Sequence, residues 1–272
     1  MKIIVILFFS MLLALPIYGQ NRETDYLSHV LEKMNAVESV TYHCVKKAWE
    51  PGDKEPVYSV PTEIYEHVNP QDTVVGYSFL CASDKEFRQP LWVYDGIVFA
   101  YIEKEEKEVR IDDFTQKSPL PFRVIMPQAF GCMKSILEYV LNTQDSIVLS
   151  LKDEGKDYLM ELSIHTPYQV EFFGKACYMP QNPYIYDPTS IYKIWISKEN
   201  DMPYRYRREM QHSISEDICS DFVYNPSGKG KIVAEDYYPA DYVRRIKGEK
   251  SQKATVDMTG KKAPDWTLTD MK

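Results

Sequence analysis

Ile191-Tyr-Lys-Ile-Trp-Ile-Ser197 runs into Met202-Pro-Tyr-Arg-Tyr206 after a short polar stretch. The first segment is dense in β-branched and aromatic residues and reads as a strand. Asn200-Asp201-Met202-Pro203 reads as a turn, because Asn, Asp and Pro each favour turn geometry, and Tyr204 to Ile214 forms the return arm. Alternation sets Arg205 and Arg207 on one face of that arm and Tyr204 and Tyr206 on the other. A two-stranded ribbon is marginal by itself, so further strands have to flank it.

The chain supplies them on both sides. Val40 to Trp49, Thr62 to Val68 and Val74 to Cys81 read as strands divided by turn residues. Leu91-Trp-Val-Tyr94, Asp95-Gly96 and Ile97 to Ile102 read as a hairpin, and Asp-Gly suits a type I′ turn with both central residues at positive φ. Glu108 to Ile111 follows. Ser146 to Leu151, Tyr158 to Ile164, Ile218 to Tyr224 and Lys231 to Tyr238 extend the sheet, and Tyr178 to Pro188, with its prolines and tyrosines, reads as a long loop.

Two segments have helical spacing instead. Tyr26, Leu27, Val30, Leu31, Met34 and Val37 form one apolar stripe, with Thr24 or Asp25 able to cap its start. Prolines 119, 121 and 127 introduce a second helix from about Ala129 to Leu141. A helix, a run of antiparallel strands, a helix and more strands define an α+β, mostly β chain. The expected architecture is a strongly curved antiparallel sheet, an incomplete barrel, covered on its concave side by two helices.

This arrangement resembles the LolA-like lipoprotein-carrier fold. The residues that carry the resemblance are the leading helix running into Val37-Glu38-Ser39-Val40, the Trp92-to-Phe99 hairpin and, above all, the Ile191–Ser197 ribbon with Pro203. A half-open barrel leaves inward side chains incompletely packed, so large aromatics can line a cavity. The candidate ligand-binding residues are Tyr77, Phe79, Trp92, Tyr94, Phe99, Met126, Trp195 and Phe222. The carrier family binds acyl chains in such a cavity, and the resemblance implies an apolar small molecule or acyl chain, or a client protein, as partner here.

The termini add an address and a second resemblance. Lys2, the apolar run Ile3 to Leu15, Pro16 and the small residue Gly19 read as a signal peptide, residues 1–19, cleaved near Gly19. No cysteine follows the run closely, so a lipoprotein is not expected, and the mature chain is expected in the periplasm. Residues 20–247 form the β-rich module, and the charged and small residues of 248–259 read as a linker. Gly260-Lys-Lys-Ala-Pro-Asp-Trp-Thr-Leu-Thr-Asp270 is similar to the opening of thioredoxin-like (redoxin) domains of TlpA-type envelope oxidoreductases. The resemblance implies a downstream thioredoxin-like domain whose start is residues 260–272. It ends before the place where such domains carry Cys-x-x-Cys.

Composition narrows the chemistry. Hydrophobic content of 44% and aromatic content of 13% exclude a disordered chain. A net charge of −8 argues against nucleic acid as partner. The five cysteines, Cys44, Cys81, Cys132, Cys177 and Cys219, include no Cys-x-x-Cys. Strand parity groups Cys44 with Val40 and Tyr42, and Cys81 with Tyr77 and Phe79, as small core residues. An odd count leaves at least one thiol unpaired. His212, Glu216, Asp217 and Cys219 lack metal-ligand spacing, and Gly228-Lys-Gly-Lys231 is too short for a phosphate loop. Neither a cofactor, a metal nor a catalytic residue is expected.

The expected function is therefore an exported, non-catalytic binding or presentation module of a TlpA-type thiol-disulfide oxidoreductase. A stand-alone periplasmic lipid or lipoprotein carrier is one alternative. An accessory domain of an active disulfide reductase is the other.

Overall fold

The computed structural model describes residues 22–115, 122–123, 125–126, 128–181, 183 and 186–249. The segments expected to be a signal peptide, most of the linker and a redoxin-like start lie outside the described residues. Helix α1 covers residues 22–35, and its Leu27, Val30 and Met34 are fully buried, as the stripe requires. An antiparallel meander follows: β1 (Ser39–Trp49), β2 (Tyr58–Val68), β3 (Tyr77–Ala82), β4 (Pro90–Tyr94), β5 (Val98–Glu103) and β6 (Glu108–Asp113). Next come α2 (Ala129–Asn142), β7 (Ile147–Asp153), β8 (Asp157–Ile164) and a ribbon of β9 (Val170–Phe173) and β10 (Lys175–Tyr178). The chain continues through β11 (Ser190–Ser197), β12 (Met202–Met210), β13 (Ser213–Tyr224), a 3-10 turn (Ala234–Tyr237) and β14 (Val243–Ile246).

Twelve strands make one sheet in the order β14-β6-β5-β4-β3-β2-β1-β13-β12-β11-β8-β7. All neighbours are antiparallel except β14 and β6, which run parallel. The sheet is curved, and its edges β14 and β7 do not meet, so the barrel stays open. β6 sits beside one edge and β7 forms the other. The chain between them has to cross the sheet, and α2 is that crossing.

Helix α2 is buried on nearly every side: Phe130, Met133, Ile136, Leu137, Tyr139 and Val140 are all enclosed. One apolar stripe would cover the sheet alone. Burial all round follows because the β9–β10 ribbon packs beside the helix as well. Phe172 of the ribbon meets Tyr139 edge-on at 5.5 Å, and Ser135 Oγ–H donates to the carbonyl of Gly174. The inner faces of β1, β3, β8 and β11 complete this main core with α1.

Several sequence expectations are corrected. Lys231 to Tyr238 contains no strand. It straps the outer face of β2 to β6, where Ile232 and Ala234 close a second small core over Tyr65, Leu80, Val93, Ala100 and Ile102. Extended alternation suits a strap laid across a sheet as well as a strand in it, and β14 takes the edge position instead. The long arm divides at Gln211-His212, so that Met210 pairs with Ser213 and β13 begins earlier than expected. No Gly, Pro or Asn marks that turn. The β4–β5 hairpin is not type I′ about Asp-Gly. Asp95 N–H donates to Val98 O (3.2 Å), and only Gly96, at φ 99°, has positive φ there. Asp95 acts through its carboxylate, which accepts from the N–H groups of Ile97 and Val98, each at 2.9 Å. The β9–β10 ribbon had no sequence expectation.

Candidate binding site beneath the second helix

The start of α2 lacks its own cap: Gln128 makes no side-chain capping bond and the first turn carries no acid. Glu66 of β2 supplies one from the sheet. Its Oε1 accepts from Phe130 N–H and its Oε2 from Gly131 N–H, both at 3.0 Å, while Tyr42 Oη–H donates to Oε1. A carboxylate suits this position because the helix N-terminus presents free donors and partial positive charge. Gly131 makes the approach possible, since a Cβ there would stand 2.9 Å from Glu66 Oε2 and 3.2 Å from the Tyr77 ring. Burial pushes the Glu66 carboxyl above its ordinary range, and the bonds from Tyr42, Gly131 and Phe130 oppose that push.

A small inner void adjoins this anchor, and a larger outer pocket shares Ile125 with it. The inner one, of about 20 Å³, is bordered by Glu66, Tyr77, Phe79, Gln128 and Cys132 and has room for about one water. Tyr77 Oη and Gln128 Oε1 are buried without a partner. The outer pocket, of about 310 Å³, is walled by Ile125, Met126, Phe173, Tyr58 and Tyr206. Two ion pairs form its floor. Lys46 Nζ donates to Asp217 Oδ2 at 2.6 Å, and Arg208 Nε donates to Glu171 Oε2 at 2.7 Å. Lys46 and Asp217 are only 7% and 5% exposed. Burial alone would lower the Lys46 amine, but the Asp217 carboxylate more than reverses this and keeps it charged. The pocket therefore has apolar walls over a charge-balanced floor, a shape that takes an apolar molecule with a polar end.

The eight sequence candidates separate in space. Tyr77 and Phe79 border the inner void, and Met126, 38% exposed, forms the outer lip of the larger pocket. Trp92 is buried beside Tyr101, their rings stacked at 6.2 Å, with its Nε1 unpartnered. Tyr94 is buried and donates to Asp72 Oδ2 at 2.6 Å. Phe99 lines a groove of about 380 Å³ near the β14 edge with Tyr101, Ile111 and Ile246. Phe222 stacks on Tyr42 at 5.1 Å and lines a separate cleft of about 710 Å³ with Met202 and Tyr204. Trp195 stands on the outer face, where the Arg205 guanidinium sits 3.9 Å over its ring and its Nε1–H donates to Glu154 at 3.2 Å. Ile125, Phe173, Glu66 and Lys46 are not among the sequence candidates, and Asp217 enters there only as a member of a cluster that lacks metal-ligand spacing. Strand parity signals two of them, because Lys46 follows Tyr42 and Cys44 on one face and Glu66 follows Ile64.

Burial raises the thiols of Cys81 and Cys132 to about 12, and pushes those of Cys177 and Cys219 upward too. These four stay protonated at neutral pH, which makes them poor nucleophiles. Among the described residues no group of three or more His, Cys, Asp or Glu could hold a metal ion. No helix among them is long and apolar enough to cross a membrane.

No family model and no curated protein matches the chain. Solved structures do. A DUF1329 family protein from Desulfovibrio piger matches with a TM-score of 0.38 at 12% identity, over 82% of this chain and 98% of its own. Lipoprotein LppX of Mycobacterium tuberculosis matches with 0.37 at 7% identity, over 75% and 96%. A LolA superfamily protein from Nitrosomonas europaea matches with 0.28 at 10% identity, over 79% and 98%.

Proposed function

We propose that the chain is an exported, non-catalytic binding module that takes an apolar molecule, such as an acyl chain, between the inner face of its sheet, the β9–β10 ribbon and the Ile125–Met126 lead-in to α2. The observation that carries this reading is the pocket of about 310 Å³ beside Met126, separated by Ile125 from a void that holds unpaired polar groups of Tyr77 and Gln128. Glu66 holds α2 in place at one end, while Ile125, with Met126 on one side and Gln128 on the other, stands between the two spaces. Displacing Ile125 would join them and lengthen the site without unfolding the sheet.

A fluorescent fatty-acid analogue tests the reading. Saturable binding is expected, and Met126→Asp should weaken it at least tenfold, because a charge placed at the apolar lip opposes entry of a hydrocarbon at a cost of more than about 1.4 kcal/mol. Unsaturable partitioning by the unsubstituted chain would contradict it.

A second reading is favoured by one sequence observation, the redoxin-like motif from Gly260 to Asp270. In it, the module holds its ligand or a client near a TlpA-type thioredoxin-like domain. Insulin reduction separates this from catalysis by the chain itself. The chain alone is expected to give no dithiol-dependent turnover, and measurable turnover would refute the non-catalytic assignment.

A further inference from the structure

Cys44 and Cys219 face each other across the seam between β1 and β13, in directly opposite register. That seam joins the half of the sheet made from β1 to β6 and β14 to the half made from β7, β8 and β11 to β13. No other cysteine among the described residues has a cysteine opposite it: Cys81 is paired with Ile64 and Trp92, Cys177 with Glu171, and Cys132 lies in α2. Both members of the pair are buried, at 0% and 4% exposure, and their thiols are free in the structure. Directly opposed residues of an antiparallel pair have Cα atoms about 4.5–5.5 Å apart, within the span a disulfide bridges.

We infer that Cys44 and Cys219 are joined by a disulfide in the exported chain, stapling the two halves of the sheet at their seam. The inference rests on the export reading, because only an oxidising compartment supplies a disulfide oxidant. One cysteine thiolate attacks the oxidant's disulfide sulfur and expels one thiol, leaving a mixed disulfide. The second cysteine thiolate then attacks the bridged cysteine sulfur and expels the other thiol. Two protein thiols lose two electrons and two protons, and the oxidant's disulfide is reduced to two thiols. The exchange belongs to folding, before β1 and β13 close, while both thiols are still solvated.

The test begins with the purified chain refolded in glutathione and glutathione disulfide, then denatured and alkylated. Of the five cysteines, three should be alkylated, and a proteolytic map should contain one cross-linked pair, Cys44 with Cys219. Five alkylated thiols, or a cross-link that joins other cysteines, would overturn the pairing. Cys44→Ala/Cys219→Ala should give three alkylated thiols with or without oxidant, and dithiothreitol should lower the thermal midpoint of the unsubstituted chain but not of this variant. Equal shifts in the two proteins would overturn the staple. Alkylation of the chain taken from an envelope fraction separates the premise from the pairing. Three thiols after refolding but five from the cell would refute the bridge in the exported chain while leaving the pocket and its ligand test untouched.

Discussion

Glu66→Ala should lower the free energy of unfolding by about 3–5 kcal/mol, since each buried donor left unpaired costs about 1–3 kcal/mol. Three donors lose their acceptor at once: the N–H groups of Phe130 and Gly131 and the hydroxyl of Tyr42. Urea unfolding of the two proteins measures the difference, and a loss under about 1 kcal/mol would show that α2 does not depend on this anchor. Glu66→Gln adds a pH signature. Burial raises the folded-state pKa of Glu66 above its ordinary value of 4.5, so the folded chain binds this proton more tightly than the unfolded chain. The stability linked to that proton is fully present below the unfolded value and is lost as pH rises through the folded value. On acidification from neutrality toward 4.5, the unsubstituted chain should therefore gain stability relative to Glu66→Gln. A flat difference across that window would contradict the protonation.

Gly174→Ala should be about as damaging, at about 3–5 kcal/mol, combining positive-φ strain with overpacking. Gly174 turns the β9–β10 ribbon at φ 104°, and a Cβ there would stand 2.3 Å from Val75 Cα and 2.5 Å from Val75 O. Those atoms are backbone and cannot swing aside, so the ribbon has to lift. Lifting it would pull away the Gly174 carbonyl held by Ser135 and expose the inner void beside Tyr77. Gly155→Ala is the control, because Gly155 also has positive φ, 83°, but nothing lies within 4 Å of its added Cβ. Equal losses in the two variants would mean that the contact with Val75 is not what fixes the ribbon.

The curved sheet and its helices were legible because their signals are local. The stripe Leu27, Val30, Met34 could only be helical, and the alternation through Val40, Tyr42 and Cys44 could only be a strand with one buried face. The outer strap was not legible, since Ile232 and Ala234 alternate in the same way whether they join a sheet or cross it. The site was legible only in part. Lys193 marks the outer face of β11, and the same alternation carries Trp195 outward while Tyr192, Ile194 and Ile196 point into the core. Large aromatic size was a weaker guide than parity. Parity places Lys46 and Glu66 on the buried faces of β1 and β2, but the partners that let them and Asp217 be buried come from other strands and from the start of α2, which no local pattern reveals.

Hydrogen exchange with and without a saturating fatty acid tests the central claim most directly, by locating the ligand. Bound ligand should slow exchange of the β9 amides around Glu171 and Phe173 and of the inner-face strands β1 and β12 that border the pocket. Slowing confined to the outer strap around Ile232, or to the β14 edge, would contradict a site on the inner face of the sheet.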